Sequence, residues 1–504
     1  MKKIVLGACA VCAWSVFGVE LASPFKDGAV LQRGRPVPVW GTAEAGEKVT
    51  VSFAGATVSA TADAQGAWRV ALPAMKASKE SRELVVRGAK DAKTVKDVLV
   101  GEVWIASGQS NMEMRLWGGS NRFSDEGGAV LSQFVRRPLI RFFCTANYKW
   151  SVTPVKATDA KWVSLAPENV GGTSAVAFYF AEGLNRELDV PVGVVAAYWG
   201  GTNIDAWTPR EGYDLHPELA PGKYPVTANW NPSLAKGAIS GGCQQPTVIY
   251  NAQLAPVAPF AVRGAIWYQG EHNTNHEDEV PTYAARMHAL HDGWKKTFEN
   301  PDFKLYFVQI AQYWCGDDEK RLDRWFDVQR QQEKFAEEEP NAGMAVTSDV
   351  RSWKDVHPRS KLAVARRLLL LALKRDYGFA DVVCDSPVFE KATRLDNGDV
   401  KLEFKHAPKG WYVYNDDFSQ ELSFELRDAD GAWHPAQVRN LHKPTYVWDG
   451  ASGVGRDAYL VIGWAPGAHV FAPKGVRYMR APRGRGNLYT DKGLPVGPFV
   501  GEVR

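Results

Sequence analysis

The stretch Val103-Trp104-Ile105-Ala106-Ser107-Gly108-Gln109-Ser110-Asn111-Met112 decides the reading of this chain. Its first five residues are apolar or small without alternation, as in a strand buried on both faces. Gly108 ends the run, and a serine follows at a strand-to-helix turn. Such a turn presents the hydroxyl at the crest of a sheet and leaves the serine amide able to donate to an oxyanion.

Further apolar runs follow at Val192 to Tyr198, Val262 to Tyr268, Leu305 to Ala311 and Met344 to Ser348. Helical spacing separates them, as at Ala175 to Leu188 and at Tyr283 to Phe298, where Tyr283, Met287, Leu290, Trp294 and Phe298 recur on one face. A last helix is expected after Pro358, with Leu362, Ala365, Leu369 and Leu373 in phase and Gly378 as its stop. Alternating strands and helices predict an α/β fold with a doubly wound parallel sheet. On either side the pattern changes to short alternating strands, such as Val49 to Phe53 and Val400 to Phe404, broken by Gly and Pro. The expected organisation is a signal peptide over 1–18, an N-terminal β-sandwich domain over 20–98, a catalytic domain over 99–378 and a C-terminal β domain over 379–504.

Length and composition agree with several folded domains: 504 residues, 45% hydrophobic and 23% charged. The net charge of +3, from 60 basic and 57 acidic residues spread along the chain, gives no field that would select nucleic acid or an anionic membrane. Met1-Lys2-Lys3 followed by an apolar stretch to Phe17 and small residues near Gly18 reads as a secretory signal, so a secreted or periplasmic product is expected. No later run is long enough for a membrane span. Cys144, Cys243, Cys315 and Cys384 follow the signal, and their irregular spacing identifies neither disulfide pairs nor a zinc site.

Ligands of an open parallel sheet collect beyond the carboxyl ends of its strands, so the residues there carry the functional reading. Ser110 follows the first strand and is the expected nucleophile. Gly200-Gly201-Thr202-Asn203 follows the second, where a backbone amide of Gly201 or Gly200 can approach a ligand closely. Gln269-Gly270-Glu271-His272-Asn273 follows the third and supplies a side-chain amide donor in Asn273. Asp349 and then Asp355-Val356-His357-Pro358 follow the fifth, giving a base, His357, with carboxylates nearby. His272, His276, Glu277 and Asp278 also have metal-ligand chemistry, but no third ligand completes the set and no metal is expected.

These segments resemble the sialate O-acetylesterases within the SGNH hydrolases. The resemblance runs through Leu31-Gln32-Arg33, Val37 to Thr42, Gly101 to Met112, Trp199-Gly200-Gly201-Thr202 with Ala206-Trp207, Trp267 to Glu271 with Asn273, Asp355 to Pro358 with Lys361, and Asn487-Leu488-Tyr489. It implies an SGNH α/β/α core flanked by β domains, no cofactor, and hydrolysis of acetyl esters on carbohydrate, either sialic acid or a polysaccharide such as xylan. Expected roles are an acyl-enzyme on Ser110, His357 as base, and Ser110, Gly201 and Asn273 as oxyanion donors, with Gln109, Gln269 and Trp207 on the substrate. The acid departs from the usual pattern, because position 354 is Lys and Asp355 lies only two residues before His357. Asp355 is the first candidate, Asp349 the second, and a pair oriented by a backbone carbonyl the third. The competing reading is a carbohydrate-binding protein with a degenerate core.

Overall fold

A computed structural model describes residues 18–504 except 119–122, 220–241, 317, 351–354, 408, 414–422, 442–452, 466–471 and 481–485. The expected signal peptide falls almost wholly outside the described residues.

One strand organises the molecule. β1 (Ala92–Gly108) is 17 residues long and runs through two environments. Its first half pairs antiparallel with Ser78–Arg87 in an N-terminal β module, and its second half lies at the centre of a parallel sheet. The expected boundary at residue 98 therefore falls inside a continuous strand. In the N-terminal module the alternation of the sequence is the alternation of burial: along Ala67–Leu72 every second side chain faces a core of Val37, Val39, Val49, Val51, Trp68 and Val70.

The central sheet adds β2 (Arg137–Cys144), β3 (Trp162–Leu165), β4 (Val192–Tyr198), β5 (Gly264–Tyr268), β6 (Lys304–Val308) and β7 (Ala342–Ala345). Their order is β3-β2-β4-β1-β5-β6-β7, parallel throughout except for β3. The order reverses between β4 and β5 on either side of β1, which opens a crevice at the carboxyl end of β1. β4 and β5 are buried along their whole length, as their unbroken apolar sequences require. The helices α1 (Ser110–Glu113), α2 (Ala175–Leu188), α3 (Tyr283–Thr297), α4 (Glu319–Glu338) and α5 (Lys361–Asp376) complete the unit. Two hydrophobic clusters divide between the sheet faces, one holding Ile105, Trp267, Leu290 and Trp294 and the other Trp104, Phe178, Phe180 and Leu368.

The C-terminal region forms a seven-stranded antiparallel sheet and a three-stranded one around Trp411, Phe424, Tyr478 and Phe499. It is joined to the sheet end by Ser348, whose carbonyl accepts from the Gly486 amide at 2.7 Å and whose hydroxyl donates to the Val496 carbonyl at 2.7 Å. Cys144, Cys243, Cys315 and Cys384 are free thiols. Among the described residues no helix is long and apolar enough to cross a membrane.

Candidate active site

Gly108 makes the turn at the end of β1 possible. Its φ is +140°, and a Cβ there would lie 2.2 Å from the Tyr268 carbonyl oxygen, so only glycine lets β1 and β5 end side by side. The Gln109 amide donates to that carbonyl at 3.0 Å, and α1 starts at Ser110. The amides of Met112 and Glu113 return to the Gln109 carbonyl, each at 2.9 Å, while the Ser110 amide has no partner among the described residues.

His357 reaches the serine from the loop between β7 and α5. Its Nε2 lies 2.8 Å from Ser110 Oγ, and the residue is only 8% exposed. Nδ1 lies 3.6 Å from Asp355 Oδ1, an oxygen that also accepts from the His357 backbone amide at 2.9 Å. Asp349 is held elsewhere: both its oxygens accept from the Arg367 guanidinium, at 2.7 and 2.6 Å, on the α5 side of the sheet.

The two glycines after β4 separate into two uses. The Gly200 amide donates to Glu113 Oε2 at 2.7 Å, so it is not available to a ligand. Gly201 adopts φ +73°, lines the same cavity as Ser110, and its amide has no partner among the described residues. Two backbone amides without partners among the described residues, those of Ser110 and Gly201, thus belong to residues that line the cavity.

The cavity around this pair measures about 640 Å³ and is bounded by Gln109, Arg115, Tyr148, His272 and Arg321. A cavity of about 720 Å³ between Arg69, Tyr250 and Lys296 contains none of the groups gathered at the serine. Burial, reinforced by His276, pushes His272 down to about 4, so its ring is neutral near neutral pH. Tyr148 donates to Glu113, which pushes its phenol up to about 12. Glu113 was not singled out in the sequence, although it stands one helical turn beyond Ser110 on the same face; Arg115, Tyr148 and Arg321 carry no such signal.

Three expected contacts require correction. Asn273 is fully buried behind the cavity, its Oδ1 accepting from the Ile204 amide at 3.2 Å and from Gln269 Nε2 at 2.6 Å while Nδ2 donates to Glu279 at 2.7 Å. It braces loops instead of facing an oxyanion. Gln269 is equally buried, donating to the Thr202 carbonyl at 3.0 Å and accepting from Tyr283 at 2.8 Å. Trp207 is a core residue, 0% exposed, with Nε1 on Thr202 Oγ1 and its ring against Trp267. Gln109 does line the cavity: Oε1 accepts from the His272 amide at 3.2 Å, and that contact turns Nε2 the other way.

His272 and His276 lie with ring centroids 5.5 Å apart. Among the described residues one group of three, His291, Asp292 and Glu339, brings metal-type ligand atoms within 4.8 Å of one another, and the Lys295 ammonium pairs with both of its carboxylates at 3.3 and 3.0 Å.

A serine, an imidazole and two amides without partners among the described residues, at the crest of a parallel sheet, suit acyl transfer. Residues 100–368, which include all four, match the carbohydrate esterase family described as sialic acid-specific acetylesterase. The chain belongs to that family. It is a carbohydrate O-acetylesterase. Sialate O-acetylesterase of Rattus norvegicus is 26% identical over 538 residues, covering 96% of this chain and 95% of the rat protein. The human sialate O-acetylesterase is 27% identical over 407 residues, 75% of each chain. A crystal structure of a carbohydrate acetylesterase from Xanthomonas citri superposes with TM-score 0.78 at 31% identity, covering 96% of this chain and 99% of that one. The esterase thus shares its overall fold with a solved relative.

Proposed function

We propose that this esterase removes acetyl groups from carbohydrate through an acyl-enzyme on Ser110, with His357 as general base and then general acid. The observation that carries the reading is the 2.8 Å contact between Ser110 Oγ and His357 Nε2 at the mouth of the cavity. His357 takes the hydroxyl proton as Oγ attacks the acetyl carbonyl, and the Ser110 and Gly201 amides receive the oxyanion. Collapse of the tetrahedral intermediate transfers that proton to the departing sugar oxygen. Water, deprotonated by His357, then attacks the acetyl-serine and releases acetate. Asp355, 3.6 Å from Nδ1, acts on the imidazolium as a nearby charge.

The substrate in this proposal is an O-acetylated sugar, sialic acid being the one named by the family and by the mammalian relatives. The charged leader and apolar stretch of residues 1–18 support export, so the enzyme acts on glycans outside the cytoplasm. Acid quench during the first turnover, followed by mass spectrometry of the peptide containing Ser110, tests the mechanism. One added acetyl group on Ser110 is expected; acetate release with no acetyl-serine at any time would contradict it.

A further inference from the structure

Beneath the serine lies a buried polar chain that the acyl-transfer steps do not use. Asn111, the residue after Ser110, is 1% exposed and makes three side-chain bonds. Its Oδ1 accepts from Lys361 Nζ at 2.6 Å. Its Nδ2 donates to the Val356 carbonyl at 2.9 Å and to Glu271 Oε1 at 2.5 Å. Val356 immediately precedes His357, and Lys361 is the first residue of α5. One carboxamide thus ties the turn that carries the nucleophile to the loop that carries the base.

Lys361 is 0% exposed, an unusual place for an amine, and its Nζ also lies 4.8 Å over the ring of Tyr268, the last residue of β5. Burial pushes it down to about 7, while Glu271 and then Asp355 pull it up. Burial likewise raises Glu271, against the Asn111 bond and the Lys361 charge. Whichever protonation state it holds, the amine keeps N–H bonds to give, so the contact to Asn111 survives the titration. The donor and acceptors also fix which way the carboxamide faces. Flipped, it would turn its N–H groups toward Nζ and its oxygen toward both the Val356 carbonyl and the Glu271 carboxylate.

We propose that Lys361 is a positioning residue for hydrolysis, holding Asn111 in the orientation that clamps the Val356 carbonyl and so keeps His357 at hydrogen-bond distance from Ser110. The proposal rests on the reading of Ser110 and His357 as the reacting pair. Without Lys361, Asn111 Oδ1 is a buried acceptor with no donor, and the clamp loosens. Misplacement of a reacting group by about 1 Å typically costs about a hundredfold in rate.

Steady-state kinetics on an O-acetylated sugar, with thermal melting of each full-length variant, test this. Lys361→Met is expected to lower kcat about a hundredfold with KM nearly unchanged. Asn111→Leu should do the same, and the double variant should be no worse than either single, because both act through one link. Lys361→Gln, which keeps an N–H donor, should recover about tenfold over Lys361→Met, and it carries the comparison if the Met variant does not fold. A kcat of Lys361→Met within about threefold of wild type, additive losses in the double variant, or a Gln variant no better than Met would overturn the proposal. Ser110→Ala separates the two levels: if it is inactive while Lys361→Met is normal, only the positioning role fails, whereas an active Ser110→Ala removes the reading on which it rests.

Discussion

Asp355 Oδ1 stands 3.6 Å from His357 Nδ1 yet 2.9 Å from the backbone amide of the same histidine. The carboxylate is therefore bonded to the main chain and meets the ring only as a nearby charge, since 3.6 Å exceeds hydrogen-bond length. Its side chain is 54% exposed, which screens that charge further.

Asp355→Asn should accordingly lower kcat by about ten- to a hundredfold, short of the roughly 10⁴-fold lost when a directly bonded orienting aspartate is replaced. Asp349→Asn should leave kcat of the folded enzyme unchanged and instead lower its stability by about 3 kcal/mol, because it breaks the buried pair with Arg367. Denaturant melts beside steady-state kinetics separate the two. A larger kcat loss at Asp349 than at Asp355 would reverse these assignments.

Gln109 borders the cavity, whereas Asn273 braces the loops behind it. With Oε1 fixed by the His272 amide, Gln109 Nε2 is the side-chain donor nearest to Ser110 in the chain that also borders the cavity. Gln109→Leu should raise KM for an O-acetylated sugar by about tenfold with wild-type melting, as expected for loss of one hydrogen bond from the cavity wall to the substrate. Asn273→Leu should act through stability, since it strands the Ile204 amide and the Glu279 carboxylate. Melting temperatures that fall for Gln109→Leu and not for Asn273→Leu would contradict this.

His272 provides the pH dependence. Its folded value, about 4, lies below the ordinary 6.5 of an exposed histidine. Between those two pH values the unfolded chain binds a proton that the folded chain does not, so stability falls as pH drops from 6.5 toward 4. His272→Asn removes this contribution, and its melting temperature should decline less steeply across that window than that of wild type. Equal slopes would show that His272 is protonated alike in both states.

The apolar runs of β4 and β5 and the periodic helices α2, α3 and α5 were legible because each buries its pattern against a single sheet. β2 was not, since Arg137, Pro138 and Arg141 interrupt its apolar residues, and Arg141 is accommodated by the Pro138 carbonyl together with the Gly28 carbonyl and the carbonyl and carboxylate of Asp97 from the N-terminal module. α4 was missed for a similar reason: its 20 residues are largely charged. At the site, the order of Ser110, Gly201 and His357 along the chain follows from the sheet topology. The misread residues share a different cause. Gln269, Asn273 and Trp207 sit on loops just past strand ends, where a side chain can face the crevice or brace the loop behind it, and residue type does not distinguish the two. Tyr283 from α3 and Glu279 from the preceding loop supply the partners that draw Gln269 and Asn273 inward.

In the proposed mechanism Ser110 is the nucleophile activated by His357. The most direct measurement is kcat for acetate release by Ser110→Ala on an O-acetylated sugar, with wild-type folding checked by melting. A loss of about 10³-fold or more is predicted, leaving only what substrate binding and the oxyanion donors supply. A folded Ser110→Ala enzyme that kept more than about a tenth of the wild-type rate, a barrier change under 1.4 kcal/mol, would contradict the account.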